Sequence, residues 1–272
     1  VKSNLKNRGG ESEIAHNLAK LVSELDSHKE LTCVEELIVL MSRNNKIPDK
    51  IVPALWDNFE KQIKILKTEE NFEDGQKFQI SNRIDISLNS LFIVSIIAQT
   101  KPQIVSEQFG QICDFFIENL KNFAFFTNSM LSYSTTMYKY FFEIAERCNK
   151  IKKLEQTQLE KIENLAIWLI LDEKAIDERK WFSVAQKAVN AIFSLSESPS
   201  DSITKTLKQF AEEKNFKQPN DLAKFLFLVG AVAMAVLVLM EKQENSLKAL
   251  KARKDKIDNL IATEKGENAK SS

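Results

Sequence analysis

Sixteen consecutive residues, Phe225 to Met240 (FLFLVGAVAMAVLVLM), carry no charge, with Lys224 before them and Glu241-Lys242 after. A helix that is apolar on every side must be covered on every side, by lipid or by protein. Sixteen residues rise about 24 Å as an α-helix, whereas the hydrocarbon core of a bilayer is about 30 Å thick and takes about 20 residues. The run is short for a span, and the alternative is a helix sandwiched between neighbours of its own chain. The rest of the sequence has to supply those neighbours.

Six Gly and five Pro in 272 residues are too few for the turn chemistry of a sandwich or barrel, while 43% hydrophobic content is ample for a core. Leu, Lys, Glu, Ile and Ala dominate, most of them good helix formers. An all-α fold follows. Thirty-eight basic residues balance thirty-eight acidic ones, so no overall field draws the chain to nucleic acid or to an anionic membrane. Cys33, Cys113 and Cys148 are odd in number, far apart and set in apolar helical patterns. That suits buried thiols in a reducing compartment, not a disulfide framework or a zinc site. The opening VKSNLKNRGG is polar and lacks the apolar stretch of a secretory signal, and a chain that opens on Val reads as a piece of something longer.

Periodicity of 3.6 residues and punctuation place helices near 11–26, 30–44, 49–67, 83–100, 103–121, 130–149, 156–171, 180–196, 200–214 and 221–260. In one of the cleaner stretches, Leu159, Ile162, Leu165, Ala166, Leu169 and Ile170 share a face, with Glu160, Lys161, Glu163 and Asn164 pointing away. Four of the five prolines fall at or just inside a helix start, where the missing N–H costs nothing. Apolar residues recur after them: Ile51, Leu55 and Phe59 after Pro48, Ile203, Leu207 and Phe210 after Pro199. Pro48 to Pro102 is 54 residues and Pro102 to Pro199 is 97, close to twice that, which fits a helical-hairpin period near 50 with one copy around residue 150 lacking its proline. HEAT and armadillo arrays have periods of about 40 to 47. The expected architecture is therefore a HEAT/armadillo-like α-solenoid, with an irregular helical bundle as the alternative. Its helix pairs would cover 30–66, 83–121, 130–171 and 180–214, with a last unit from 221. Residues 1–29 form a partial N-terminal repeat, 30–242 the HEAT-like repeats, and 243–272 a charged helix end and disordered linker. Residues 66–82 are expected to be a surface loop.

Enzymatic constellations are nearly absent. Asp26-Ser27-His28 holds the residue types of a triad, but three consecutive side chains at a helix end cannot converge in triad geometry. The sequence has no GxxxxGK[ST], GxGxxG, HExxH or CxxC, so neither cofactor nor metal nor small-molecule substrate is expected, and the chain reads as a non-enzyme. The carboxylates of LDEKAIDERKW read as solvated surface. Eighteen Phe, including FFIENLKNFAFF and the YKYFF of residues 138–142, read as packing between helices. The best local basic feature is Lys248, Lys251, Arg253, Lys254 and Lys256, a run able to neutralise phosphates and the candidate nucleic-acid contact.

The C-terminal third resembles the condensin complex subunit 1 family, the kleisin-associated HEAT-repeat subunits of condensin. Two segments carry the resemblance. In KWFSVAQKAVNAIFSLSESPSDSI, residues 180–203, Trp181, Ala188, Ile192, Phe193, Leu195 and Pro199 stand at the family's positions, Phe193 where Tyr is usual. In LFLVGAVAMAVLVLMEK, Gly230, Val232, Ala233, Leu237, Val238 and Glu241 match, whereas Ala231, Ala235, Val236 and Leu239 fall where relatives tend to be polar. Weaker similarity extends to residues 33–59 and 90–109. The resemblance implies a scaffold held on the kleisin subunit near the SMC ATPase heads, contributing to DNA binding in mitotic chromosome condensation. It implies nuclear, chromosomal and also cytoplasmic residence, and no membrane partner. Condensin II's HEAT subunit and a generic HEAT adaptor or transport carrier are the alternatives. On this reading Phe225–Met240 is a sandwiched repeat helix, and Gly230 marks a close helix approach.

Overall fold

The computed structural model describes residues 8–25, 28–68, 77–123, 128–172 and 176–268. Among them the chain is all-α, without a strand. Its helices are α1 (Arg8–Ser23), α2 (His28–Arg43), α3 (Ile51–Thr68), α4 (Lys77–Thr100), α5 (Pro102–Ser106), α6 (Phe109–Phe123), α7 (Asn128–Cys148), α8 (Gln156–Leu171), α9 (Trp181–Leu195), α10 (Pro199–Glu213) and α11 (Pro219–Asn268).

Local chemistry explains the boundaries. Pro102 and Pro199 each sit in the first turn of their helix, where no N–H is needed. α2 ends on Asn45 in the left-handed region, φ 53°. The Asn45 N–H donates to the Ser42 carbonyl at 3.1 Å and the Lys46 N–H to the Met41 carbonyl at 2.9 Å, which satisfies the last carbonyls of the helix. In α8, Ile162, Leu165, Ala166, Leu169 and Ile170 are buried, as the stripe requires, while Leu159 and Glu163 are half-buried. The expected helix over 103–121 is two pieces: Gln108 donates back to the Val105 carbonyl at 3.0 Å, a tight turn that places both Val105 and Phe109 in the core. Of the expected loop over 66–82, residues 66–68 belong to α3 and 77–82 to α4, and residues 69–76 lie outside the described residues.

The helices pack in a fixed order. α3 lies on α4, α6 on α7, α8 on α9 and α10 on α11. The second members of these pairs follow one another, α4 on α7, α7 on α9 and α9 on α11, and among the first members α6 lies on α8 and α8 on α10. α3 joins α6 through rings: Trp56 and Phe59 meet Phe115 edge-on at 5.4 and 5.2 Å. α1 caps this order against α3 and α4, and α2 lies on α4. From α3 to α9 the pairing is one helix out of step with the expected pairs, since Pro48 and Pro102 lead into the first helix of a pair, whereas α10 lies on α9, its expected partner, as well as on α11. Short connections flank every helix, so loop length does not say which loop closes a hairpin. The buried faces decide it.

Aromatic rings join the layers. Phe116 stacks on Phe141 at 4.5 Å between α6 and α7, and Phe92 meets Tyr140 at 5.3 Å between α4 and α7. Phe59, Phe116, Phe141 and Phe142 are fully or almost fully buried. Each such side chain contributes about 2 to 3 kcal/mol of transfer free energy, and a well-placed ring pair about 1 kcal/mol more. Of FFIENLKNFAFF and YKYFF, Phe115, Phe116, Tyr138, Phe141 and Phe142 are thus core and Tyr140 is half-buried, while the rings of Phe123, Phe125 and Phe126 are not among those described.

Candidate functional site

α11 is where the structure departs most from the sequence expectation. Its start is held by Asp221, whose carboxylate accepts the Asn215 N–H at 3.2 Å. Lys224, Leu228, Ala231 and Ala235, spaced by four, three and four, form one buried stripe against α9 and α10. Phe227 meets Phe182 edge-on at 5.1 Å, and Phe225 stacks on Phe210 at 6.3 Å. The opposite side is open: Leu226 is 61% exposed, Leu237 59% and Met240 59%, with Val229, Met234 and Val238 exposed beside them. Phe225–Met240 is therefore not sandwiched within this chain. Gly230 marks no close approach either, since a Cβ built there meets nothing within 4 Å. By length and composition this helix is apolar enough to cross a membrane, with a mean hydropathy of 2.6 over its most apolar window and 17% of that window buried.

A cleft of about 240 Å³ opens between α7, α9 and α11. Glu146, Gln186 and Asn190 form its polar side, and Phe193, Met234 and Val238 belong to its apolar side. Gln186 donates to the Asn190 side-chain oxygen at 3.3 Å, and the Lys187–Glu143 ion pair at 3.0 Å braces α9 on α7 beside it. Lys242 also lines the cleft. The Lys150 ammonium is held below the usual lysine range, first by burial and then by the charge of Lys242.

No known protein family matches the chain, and no curated protein does.

The basic run lies on the exposed continuation of α11. Lys248, Lys251, Arg253, Lys254 and Lys256 are all exposed, but at 3.6 residues per turn they do not share a face. Lys248, Lys251 and Lys254 fall within about a third of the circumference, and Arg253 and Lys256 lie on the other side. Lys248 is also paired with Glu244 at 2.7 Å. No single phosphate track reaches all five. The expected charged end is helical as far as Asn268, and residues 269–272 lie outside the described residues.

The remaining candidates resolve individually. His16 is exposed on α1; Asp26 and Ser27 lie outside the described residues. Cys113 and Cys148 are buried, and burial holds the Cys148 thiol up at about 12. Cys33 corrects the expectation of three buried thiols: it is exposed, because α2 turns Ile38 inward. Among the described residues no cluster of three or more His, Cys, Asp or Glu is arranged to hold a metal. Of the carboxylates of LDEKAIDERKW, expected at the solvated surface, Glu178 is exposed and Asp177 half-buried, and both take part in local hydrogen bonds. Asp177 accepts the Arg179 N–H at 2.9 Å, and Glu178 accepts from the Asn220 amide at 2.5 Å.

Proposed function

We propose that this chain is a non-catalytic scaffold of the HEAT/armadillo type, an α-solenoid whose helical hairpins present a protein-binding surface. The observation that carries the proposal is the order of packing, in which each hairpin touches the next and the two members form successive rows. Such an array has a long surface for its size and grips extended partners along it. The cleft between α7, α9 and α11 suits a peptide segment. Gln186 and Asn190 offer amide donors and acceptors to a main chain, and Phe193 and Met234 offer an apolar wall to its side chains.

The specific assignment is the HEAT-repeat subunit of condensin, binding the kleisin subunit beside the SMC ATPase subunits and contributing to DNA binding on mitotic chromosomes. It rests on the resemblance over residues 180–203 and 226–242. The residues that carry it are largely core residues, Trp181, Ala188, Ile192 and Leu195 being buried, so they mark a scaffold and not a binding site. Affinity purification of the full-length protein from dividing cells tests the assignment. Kleisin and SMC subunits are expected in the eluate; their absence, with a different stable cargo in their place, reassigns the chain to a generic adaptor or carrier.

A further inference from the structure

We propose that the open face of α11 is a dimerisation seam, which pairs with α11 of a second copy of this chain as a parallel, in-register, two-stranded coiled coil. Leu222, Leu226, Val229, Ala233, Val236 and Met240 follow one another at alternating spacings of four and three, and all are exposed except Val236, which is half-buried. The alternation continues without a slip through Gln243, Leu247, Leu250, Lys254 and Ile257, where the helix has left the body of the protein. In that polar half the frame is unambiguous, since Leu247, Leu250 and Ile257 are the large apolar residues there and are 66, 60 and 56% exposed. Apolar residues in a seven-residue repeat of this kind form the seam of a left-handed coiled coil, and sustaining it over more than four heptads is its strongest sequence mark.

The body leaves room for one partner helix. The buried stripe Lys224, Leu228, Ala231 and Ala235 lies nearly opposite the seam, and Phe225 and Val232, on one flank, are already packed against the core. A second α11 thus approaches from the side of the helix that faces away from the body. An antiparallel partner would set the apolar half of one helix against the charged half of the other, whereas the parallel arrangement matches like with like. Gln243 then faces Gln243, two amides that hydrogen-bond each other, and Lys254, the second polar seam residue, helps to fix register while its stem packs across the seam. The 36 residues from Leu222 to Ile257 extend about 54 Å, and a stripe about 10 Å wide on each copy buries on the order of 1,000 Å² in total, enough for a specific interface.

A bilayer is the competing cover, and two observations weigh against it. Immersing the apolar half would immerse Glu146, Gln186 and Asn190, which line the cleft beside Met234 and Val238. Each buried polar group without a partner carries a cost of a few kcal/mol in hydrocarbon. The seam also runs on for more than two heptads beyond the apolar half, among lysines that lipid would not cover.

Sedimentation equilibrium of the full chain tests the proposal. The expected result is a reversible dimer at twice the 31.1 kDa chain mass. Leu247→Glu with Leu250→Glu lies in the stretch 241–257, where every residue of α11 is exposed, so the body stays folded by its urea midpoint while dimerisation weakens at least tenfold. With Cys33→Ser, a Leu250→Cys chain is expected to form a disulfide with itself on mild oxidation, as only a parallel, in-register pair allows. A monomer at every concentration overturns the proposal, as does a dimer indifferent to the two glutamates or one that leaves Leu250→Cys unlinked. Flotation of an otherwise monomeric chain with phosphatidylcholine vesicles would assign the face to lipid instead.

Discussion

The ammonium of Lys224 lies 5.7 Å from the centroid of the Trp181 ring, inside the protein, with its side chain only 2% exposed. A buried ammonium is costly unless compensated, and Glu178 at 3.7 Å and the face of the indole both compensate it. The indole is itself fixed, its Nε1–H donating to the Ile170 carbonyl at 3.3 Å. The pair joins α11 to the start of α9 and so anchors the proposed seam to the body. Lys224→Ala is expected to lower stability by about 1 to 3 kcal/mol through lost stem packing and cation–π attraction. Lys224→Met, which keeps the stem and removes the charge, is expected to be neutral or stabilising. Urea midpoints of the two variants check this; equal losses would mean the charge, not the stem, is what matters.

Ser90, on α4, has the one buried side-chain oxygen among the described residues that lacks a hydrogen-bond partner. Its neighbours are satisfied: Ser87 donates to the Arg83 carbonyl at 3.0 Å and Ser95 to the Phe92 carbonyl at 2.8 Å. Removing an unpaired buried hydroxyl relieves a desolvation penalty. Ser90→Ala is expected to raise stability by about 1 kcal/mol, and Ser87→Ala to lower it or leave it unchanged. A Ser90→Ala chain less stable than the parent in thermal unfolding would contradict this.

The two buried thiols make the fold sensitive to alkali. Burial raises the Cys113 thiol well above 9.0, with the Asp114 carboxylate adding to it, and raises Cys148 from 9.0 to about 12. Between pH 9 and about 12 the unfolded chain releases these protons and the native chain keeps them, so stability falls as pH rises. At pH 10 each such thiol accounts for on the order of 1 kcal/mol of lost stability. Urea midpoints at pH 8, 9 and 10 are expected to decline, more shallowly in Cys148→Ala. In the native state at pH 8 only Cys33 is expected to react with a thiol reagent.

Legibility from sequence followed what local residues determine. α8 spans residues 156–171 as its apolar stripe requires, and the start near residue 156 lacks the proline that Pro102 and Pro199 supply to α5 and α10. The break at Glu107–Gln108 was invisible, because the apolar pattern runs straight through Val105 and Phe109. So was the pairing of helices, which depends on which faces meet and not on connection length. The exposure of α11 could not be read, since an all-apolar run states only that it is covered, not by what. The heptad seam was present in the spacing all along, but Phe225–Met240 is apolar at every position and hides a repeat that only Leu247, Leu250 and Ile257 disclose.

The basic residues can now be sorted by what each one faces. Lys254 lies on the proposed seam and Lys251 and Arg253 flank it, whereas Lys248 and Lys256 point away from it. If the run binds DNA as an isolated helix, replacing Lys251, Arg253, Lys254 and Lys256 with glutamine removes up to four phosphate contacts and flattens the salt dependence by about 0.9 per contact. If the seam is occupied, Lys254 is withdrawn from phosphate, and Lys254→Gln alone is expected to leave the salt slope unchanged while tightening the dimer by relieving a like-charge layer. Lys256→Gln is then expected to reduce the slope by about 0.9. Duplex binding measured between 50 and 200 mM salt, beside the dimerisation constant of each variant, separates the two roles. A slope that stays the same in the fourfold variant would assign the whole run to solubility and to the seam.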